Sequence, residues 1–404
     1  MNLKKILTIL AFTFASAGIA FLLYFFFFRA PQTPPKEPKP GETPELGGGL
    51  RPAAPGAPAR PADGALSGQG TRASRVAAGG LTAASSVIAA PTLGTKLSSD
   101  GSTLFSYDRS SGKFLRLYED GTTIEMSSKP FPNVEDVNWA PDGKKAVLEF
   151  PDGSNIIYDF ESQKSVTLPR HWEDFDFAPD GARIVSKSLG ADPENRWLVT
   201  VDANGENAKV VASLGDNADK VQVSWSPSGS VIAFSDTGNA AGLEKAEILL
   251  IGQNRENFKG LEVAGMDFRP LWSPSGSRLL WSTFSAKTQY KPQLWSSLAS
   301  GDQIGNGRRS FQILTWADKC AFADDKVVYC AVPQTLQTGV GFQPALAATI
   351  PDSIYRLDLE TGNAILVAEP EGGYSIKNMF VSKTERVLYF TDNGTGAVHQ
   401  IKLQ

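Results

Sequence analysis

Side chains that ordinarily carry catalysis are scarce in this chain. Its 404 residues include two histidines, His171 and His399, and two cysteines, Cys320 and Cys330. Two histidines far apart in sequence make neither a catalytic pair nor a metal site by themselves. No Gly-x-Ser-x-Gly elbow, phosphate-binding glycine loop or paired-histidine metal motif occurs. The cysteines carry more information. They flank Ala323-Asp324-Asp325-Lys326, a tight-turn signal between two short apolar runs. If Phe322 pairs with Val328, Cys320 faces Cys330 on the adjacent strand. The chemistry would then be a cross-strand disulfide, which fits an oxidising compartment; the alternative is two buried free thiols. No catalytic residue, metal ligand or cofactor is assigned, and the chain is read as a non-enzyme.

The elements that must position these residues are written in a repeat. Trp225-Ser226-Pro227-Ser228-Gly229 recurs as Trp272-Ser273-Pro274-Ser275-Gly276, and in related form as Trp139-Ala140-Pro141-Asp142-Gly143 and Phe177-Ala178-Pro179-Asp180-Gly181. An apolar run follows each copy, such as Val231-Ile232-Ala233-Phe234. Strand, tight turn, strand is the natural reading. Proline pre-sets the backbone at the start of the turn and glycine supplies its special conformation. Weaker copies lie near Leu97, Phe322 and Phe380. Asp142 and Asp180 suit hydrogen bonds within their own turns. Trp139, Phe177, Trp225 and Trp272 recur at one place in the repeat, as packing residues between neighbouring units do. Seven units of three or four antiparallel strands specify an all-β chain folded as a seven-bladed β-propeller, with six or eight blades as alternatives. The last unit runs out after three strands, and the segment from Ser86 to Ala90, ahead of the first unit, can supply the fourth. That would join the two ends of the chain in one blade and leave no open edge.

The motif Trp/Phe-Ser/Ala-Pro-Asp/Ser-Gly resembles the PD40 repeat of TolB-like β-propellers, relatives of WD40 proteins. The chain departs from TolB in carrying seven units where TolB has six blades, and it lacks the Gly-His and Trp-Asp pairs of WD40 repeats. What the resemblance implies is the fold and, as an expectation, service as an interaction platform outside the cytoplasm.

The turns within the repeat are uniformly short, so one end of the propeller should be plain. Loops at the other end lengthen in units three to six: residues 189–195, 237–245, 286–291 and, above all, 332–352. The last carries Leu336, Val340, Phe342, Leu346 and Ile350, unusually apolar for a surface segment. Long loops on a rigid scaffold are where binding concentrates. These five residues are the candidate binding loop; the alternative is that the loop folds down over the ring or a blade edge.

The amino-terminal part reads differently. Residues 6–28, from Ile6 to Phe28, carry no charge and follow Lys4 and Lys5. At about 1.5 Å per residue such a helix crosses a bilayer core of roughly 30 Å. It is read as a retained signal-anchor, with residues 1–5 as a cytoplasmic tail; a cleaved signal peptide is the alternative. Residues 29–84 are read as a disordered Pro/Gly/Ala-rich linker and 85–404 as the propeller. The stretch 31–80 holds ten prolines and ten glycines, too little apolar surface to offset the entropy of ordering.

The formal net charge of −4 argues against nucleic acid as a partner. The functional expectation is a membrane-anchored platform for another envelope protein, with the propeller outside the cell membrane. The alternatives are a carbohydrate or peptidoglycan module, taking a glycan, and an enzyme using carboxylates in the propeller channel.

Overall fold

The computed structural model describes residues 72–254, 256 and 258–404. The span expected at 6–28 and the linker through residue 71 lie outside the described residues. Within them, no helix is long and apolar enough to cross a membrane.

The described residues hold seven sheets, one for each repeat unit. Blade 1 runs through Thr92–Leu97, Thr103–Asp108, Lys113–Tyr118 and Thr123–Glu125. Blades 2 to 5 begin with the inner strands Asp136–Trp139, Trp172–Phe177, Val221–Val223 and Met266–Trp272. Blade 6 begins at Cys320–Phe322 and blade 7 at Ile376–Val381. Successive strands pair antiparallel from the inside outwards, as the alternating runs between tight turns predict. The repeated turn closes as expected. Gly143, Gly181, Gly229 and Gly276 adopt φ between 67° and 78°, a region that costs a residue with a Cβ. Asp142 and Asp180 accept hydrogen bonds from the N–H groups of Lys144 and Ala182, two positions on.

Blade 7 is completed by Ser85–Ile88, which pairs antiparallel with Val398–Lys402 in the register Ser86 with His399. A strand that precedes blade 1 thus shares one sheet with the last strand of the chain. Residues 74–84 depart from the linker expected to run to 84. Leu81–Thr82 adds a parallel strand to Ala364–Pro370, the outer strand of blade 6, and the buried Ala77 donates its N–H to the Lys402 carbonyl. Pairing an open sheet edge satisfies its backbone groups, and that gain holds a segment whose side chains alone bury little.

The core is a ring of clusters between adjacent blades. Trp139 is 1% exposed. It stacks on Phe160, stands edge-on to Phe114 of blade 1, and donates Nε1–H to the Gly94 carbonyl at 2.6 Å. Trp272 stacks on Phe234 of blade 4 and donates to the Ser224 hydroxyl at 3.1 Å. Phe177 and Trp225 fill the equivalent places between blades 2 and 3 and between blades 3 and 4. Each ring removes a large apolar area from water, and the indole N–H of each tryptophan finds a partner, so the motif aromatics are spent on joining blades.

Candidate functional site

The strand order fixes two faces. One carries the repeated turns. The other carries the loops between the second and third strands of each blade, together with the connections between blades. The longer loops all lie on this second face, and those of blades 4, 5 and 6 lock to one another.

In blade 4 the loop extends as a small hairpin, with Ala240–Gly242 paired to the start of Lys245–Gly252. The carboxylate of Glu244 accepts the N–H of Ala286, in the loop of blade 5. That loop forms a single turn, Ala286–Thr288, closed by reciprocal hydrogen bonds between Ser285 and Thr288. Its Gln289 and Tyr290 carbonyls accept the N–H groups of Gly339 and Gly341 from blade 6, at 2.9 and 2.8 Å. Gly341 has no side chain for a reason: a Cβ there would lie 2.4 Å from the Phe284 ring. On the far side, Asn393 of blade 7 donates to the Ala348 carbonyl at 2.9 Å. The loops of blades 4 to 7 therefore form one continuous arc.

The long loop of blade 6 contains two short 3-10 turns, Val340–Phe342 and Pro344–Ala347. Its five singled-out residues divide into two groups. Val340 is 1% exposed and packs with Ala347, Leu336 and Ile350 against Trp316. Phe342 and Leu346 remain 57% and 53% exposed. Phe342 lies edge-on to Phe284 at 4.7 Å and also touches Tyr290 at 5.0 Å. Leu243, at the tip of the blade 4 hairpin, is 95% exposed. Leaving Phe342 and Leu346 half in water forgoes about 1 kcal/mol apiece relative to full burial.

The foot of this loop is pinned by a buried ion pair. Lys319 Nζ lies 2.8 Å from both carboxylate oxygens of Asp352, which also accepts the Ile376 N–H at 2.6 Å. Burial pushes the Asp352 carboxyl up, against the pull of Lys319. Beneath the loop is a cavity of about 230 Å³, lined by Trp316, Arg269, Lys377 and Asn393 among others. Arg269 lies over the Trp316 ring and pairs with Asp267 and Asp318.

Carboxylates gather at the same face between blades 2 and 3. Burial raises Glu149 to about 7, and the nearby charges of Asp136, Asp174 and Glu173 add to the rise. Asp174 adopts φ 54°, a left-handed conformation, and pairs with the buried Lys187.

The remaining candidates are placed as follows. Cys320 and Cys330 occupy opposed positions of the innermost pair of blade 6, in the register that pairs Phe322 with Val328, and are joined as a disulfide. His171 is exposed before blade 3. His399 is buried in blade 7 against Phe390 and Tyr374, and burial pulls its pKa down. The structure does not bring the histidines together. Among the described residues, no group of three or more His, Cys, Asp or Glu side chains is placed to hold a metal ion. Leu243, Glu244, Asn393 and Trp316 escaped the sequence reading. A large apolar Leu243 between Gly242 and Glu244 is the one local signal; the roles of the others depend on loops of different blades.

Comparison with solved structures places the fold. The β-propeller domain of Cps50 (Swd1) from Myceliophteria thermophila is similar to this chain with a TM-score of 0.56, at 14% identity over 80% of this chain and 100% of that one. The described residues of this chain form a seven-bladed β-propeller. An oligogalacturonate lyase in complex with manganese follows at 0.54, with 11% identity over 80% of this chain and 93% of the lyase. Hydrazine synthase from Kuenenia stuttgartiensis gives 0.51, with 14% identity over 78% of this chain and 96% of that one. Identities this low speak to fold alone. No family model matches the sequence, and no curated protein matches it.

Proposed function

We propose that this chain is a non-enzymatic protein-interaction platform of the cell envelope, PD40/TolB-like, held to the membrane by residues 6–28 with its propeller outside. The observation that carries the reading is the interlocked arc of blades 4 to 7, with Leu243, Phe342 and Leu346 exposed along it. A surface that binds protein needs apolar anchors already held in place, because ordering loops on binding costs affinity. Backbone hydrogen bonds between loops supply that order here. Two aliphatic anchors and a single exposed aromatic one, Phe342, beside charged groups suit a protein partner better than a glycan, for which several exposed aromatic faces would be expected. The Cys320–Cys330 pair supports an oxidising compartment.

The test compares capture of envelope proteins by the wild type and by a Phe342→Ser/Leu346→Ser double variant. The expected result is at least about a tenfold loss of capture with unchanged melting. Equal capture by the two proteins rejects the arc as the binding face. Orientation is tested separately with protease added to intact spheroplasts, which should release a soluble propeller; a fragment protected until lysis reverses the topology.

A second reading rests on Glu149. A carboxyl held near 7 among other carboxylates on the loop face between blades 2 and 3 has the protonation behaviour of a general acid or base. An activity lost in Glu149→Gln, with partner capture intact, would favour a carboxylate-based enzyme.

A further inference from the structure

Between blade 7 and blade 1, on the loop face, lies a cavity of about 210 Å³. Drug-sized ligands occupy roughly 300–1,000 Å³, so an occupant would be small. The lining is mostly polar, and its hydrogen-bonding capacity is unevenly used. Thr92 donates to the Gly396 carbonyl, and Thr95 donates to the Thr92 hydroxyl, so both are engaged. Thr391 and Asn378 are not. They are register partners on adjacent strands of blade 7, so their side chains share one face of the sheet. Among the described residues, the Thr391 hydroxyl and the Asn378 Oδ1 are buried without a hydrogen-bond partner. Thr391 is only 4% exposed. A buried polar atom left unpaired costs about 1–3 kcal/mol, and two on one cavity wall point to an occupant that pairs them.

The charges around the cavity narrow its chemistry. Lys377 is the extra residue of a bulge between Ile376 and Asn378, the kind of irregularity that re-aims a side chain. Lys377 and Arg109 both line the cavity, both are exposed, and neither makes an ion pair with any described residue. The opposing charge is Asp392, whose Oδ2 already accepts the N–H and hydroxyl of Thr395. Two free cations call for an anion on the ligand. The Asn378 oxygen and Asp392 call for O–H donors on the same molecule.

We infer that this cavity binds a small hydroxy acid of sugar-acid size, its carboxylate between Lys377 and Arg109 and its hydroxyls on Asn378 and Thr391. The inference does not rest on the proposed platform function, since the exposed apolar residues of the arc take no part in it.

The test is calorimetric titration of the full-length protein with D-glucuronate, and with D-glucose and acetate, each of which carries half of the required chemistry. Glucuronate should bind saturably and at least about tenfold more tightly than either control. Thr391→Val keeps the shape and removes the hydroxyl; it should weaken glucuronate about tenfold without lowering the melting temperature, because the hydroxyl has no partner in the protein. Lys377→Gln should weaken glucuronate and leave glucose unchanged. No saturable binding of glucuronate overturns the inference, as does equal binding of glucose. A Thr391→Val protein that melts lower but binds glucuronate as the wild type does overturns it too.

Discussion

The hydroxyl of Thr92 donates to the carbonyl of Gly396 at 2.7 Å, across 304 residues of chain. The Thr92 N–H reaches the same oxygen at 2.9 Å. These bonds join the first strand of blade 1 to the last loop of blade 7. The outer strand of blade 7, Ser85–Ile88, closes the ring beside them. A ring closed this way depends on both ends of the chain at once.

Ile88 tests the closure. It is 5% exposed and packs with Leu104, Leu117 and Tyr389 between blades 7 and 1. Ile88→Asp removes the apolar contact and places a charge there, and should cost at least about 3 kcal/mol in urea unfolding. Wild-type stability in that variant would contradict closure through the amino-terminal strand.

Glu149 gives the fold a pH dependence of definite sign. Its folded-state pKa is raised from 4.5 to about 7, mainly by burial and then by Asp136, Asp174 and Glu173. Between those values the folded state holds a proton that the unfolded state has released. Stability therefore falls as pH rises from about 4.5 to about 7. Glu149→Gln should melt at the wild-type temperature near pH 4.5 and above it at pH 8. Parallel melting curves for the two proteins across that range would remove Glu149 as the titrating group.

The cysteine pair closes a loop with a sequence separation of 10. A cross-link of that span should contribute about 2–3 kcal/mol by restricting the unfolded chain. Cys330→Ser should lower stability by that order, and alkylation of the exported wild-type protein under non-reducing conditions should label neither cysteine. Free thiols on exported protein would sink the bridge and the inference about compartment that leans on it.

Much of this fold was legible because its signals are local and repeated. The Trp-Ser-Pro-Ser-Gly copies mark the same turn each time, and alternation about the turn at 323–326 set the register that opposes Cys320 to Cys330. The incomplete last unit called for a strand, and Ser86 lay where one was wanted. What escaped depends on contacts between units. Leu81 pairs with Glu369 in a parallel strand that no local pattern announces. Glu149 is raised partly by Asp174 and Glu173, which belong to the next blade. The five apolar residues of the blade 6 loop carry no local mark of which are buried and which exposed. Whether Val340 turns inward and Phe342 outward is decided by Trp316 below and Phe284 alongside.

The proposed function requires that a partner bind on the arc. Site-specific photo-cross-linking in cells tests it most directly, with the reactive residue placed in turn at positions 243, 342 and 346 on the loop face and at 142 and 228 on the turn face. Adducts of one size from the first three positions, and none from the other two, are the predicted result. Adducts confined to positions 142 and 228 would contradict the claim.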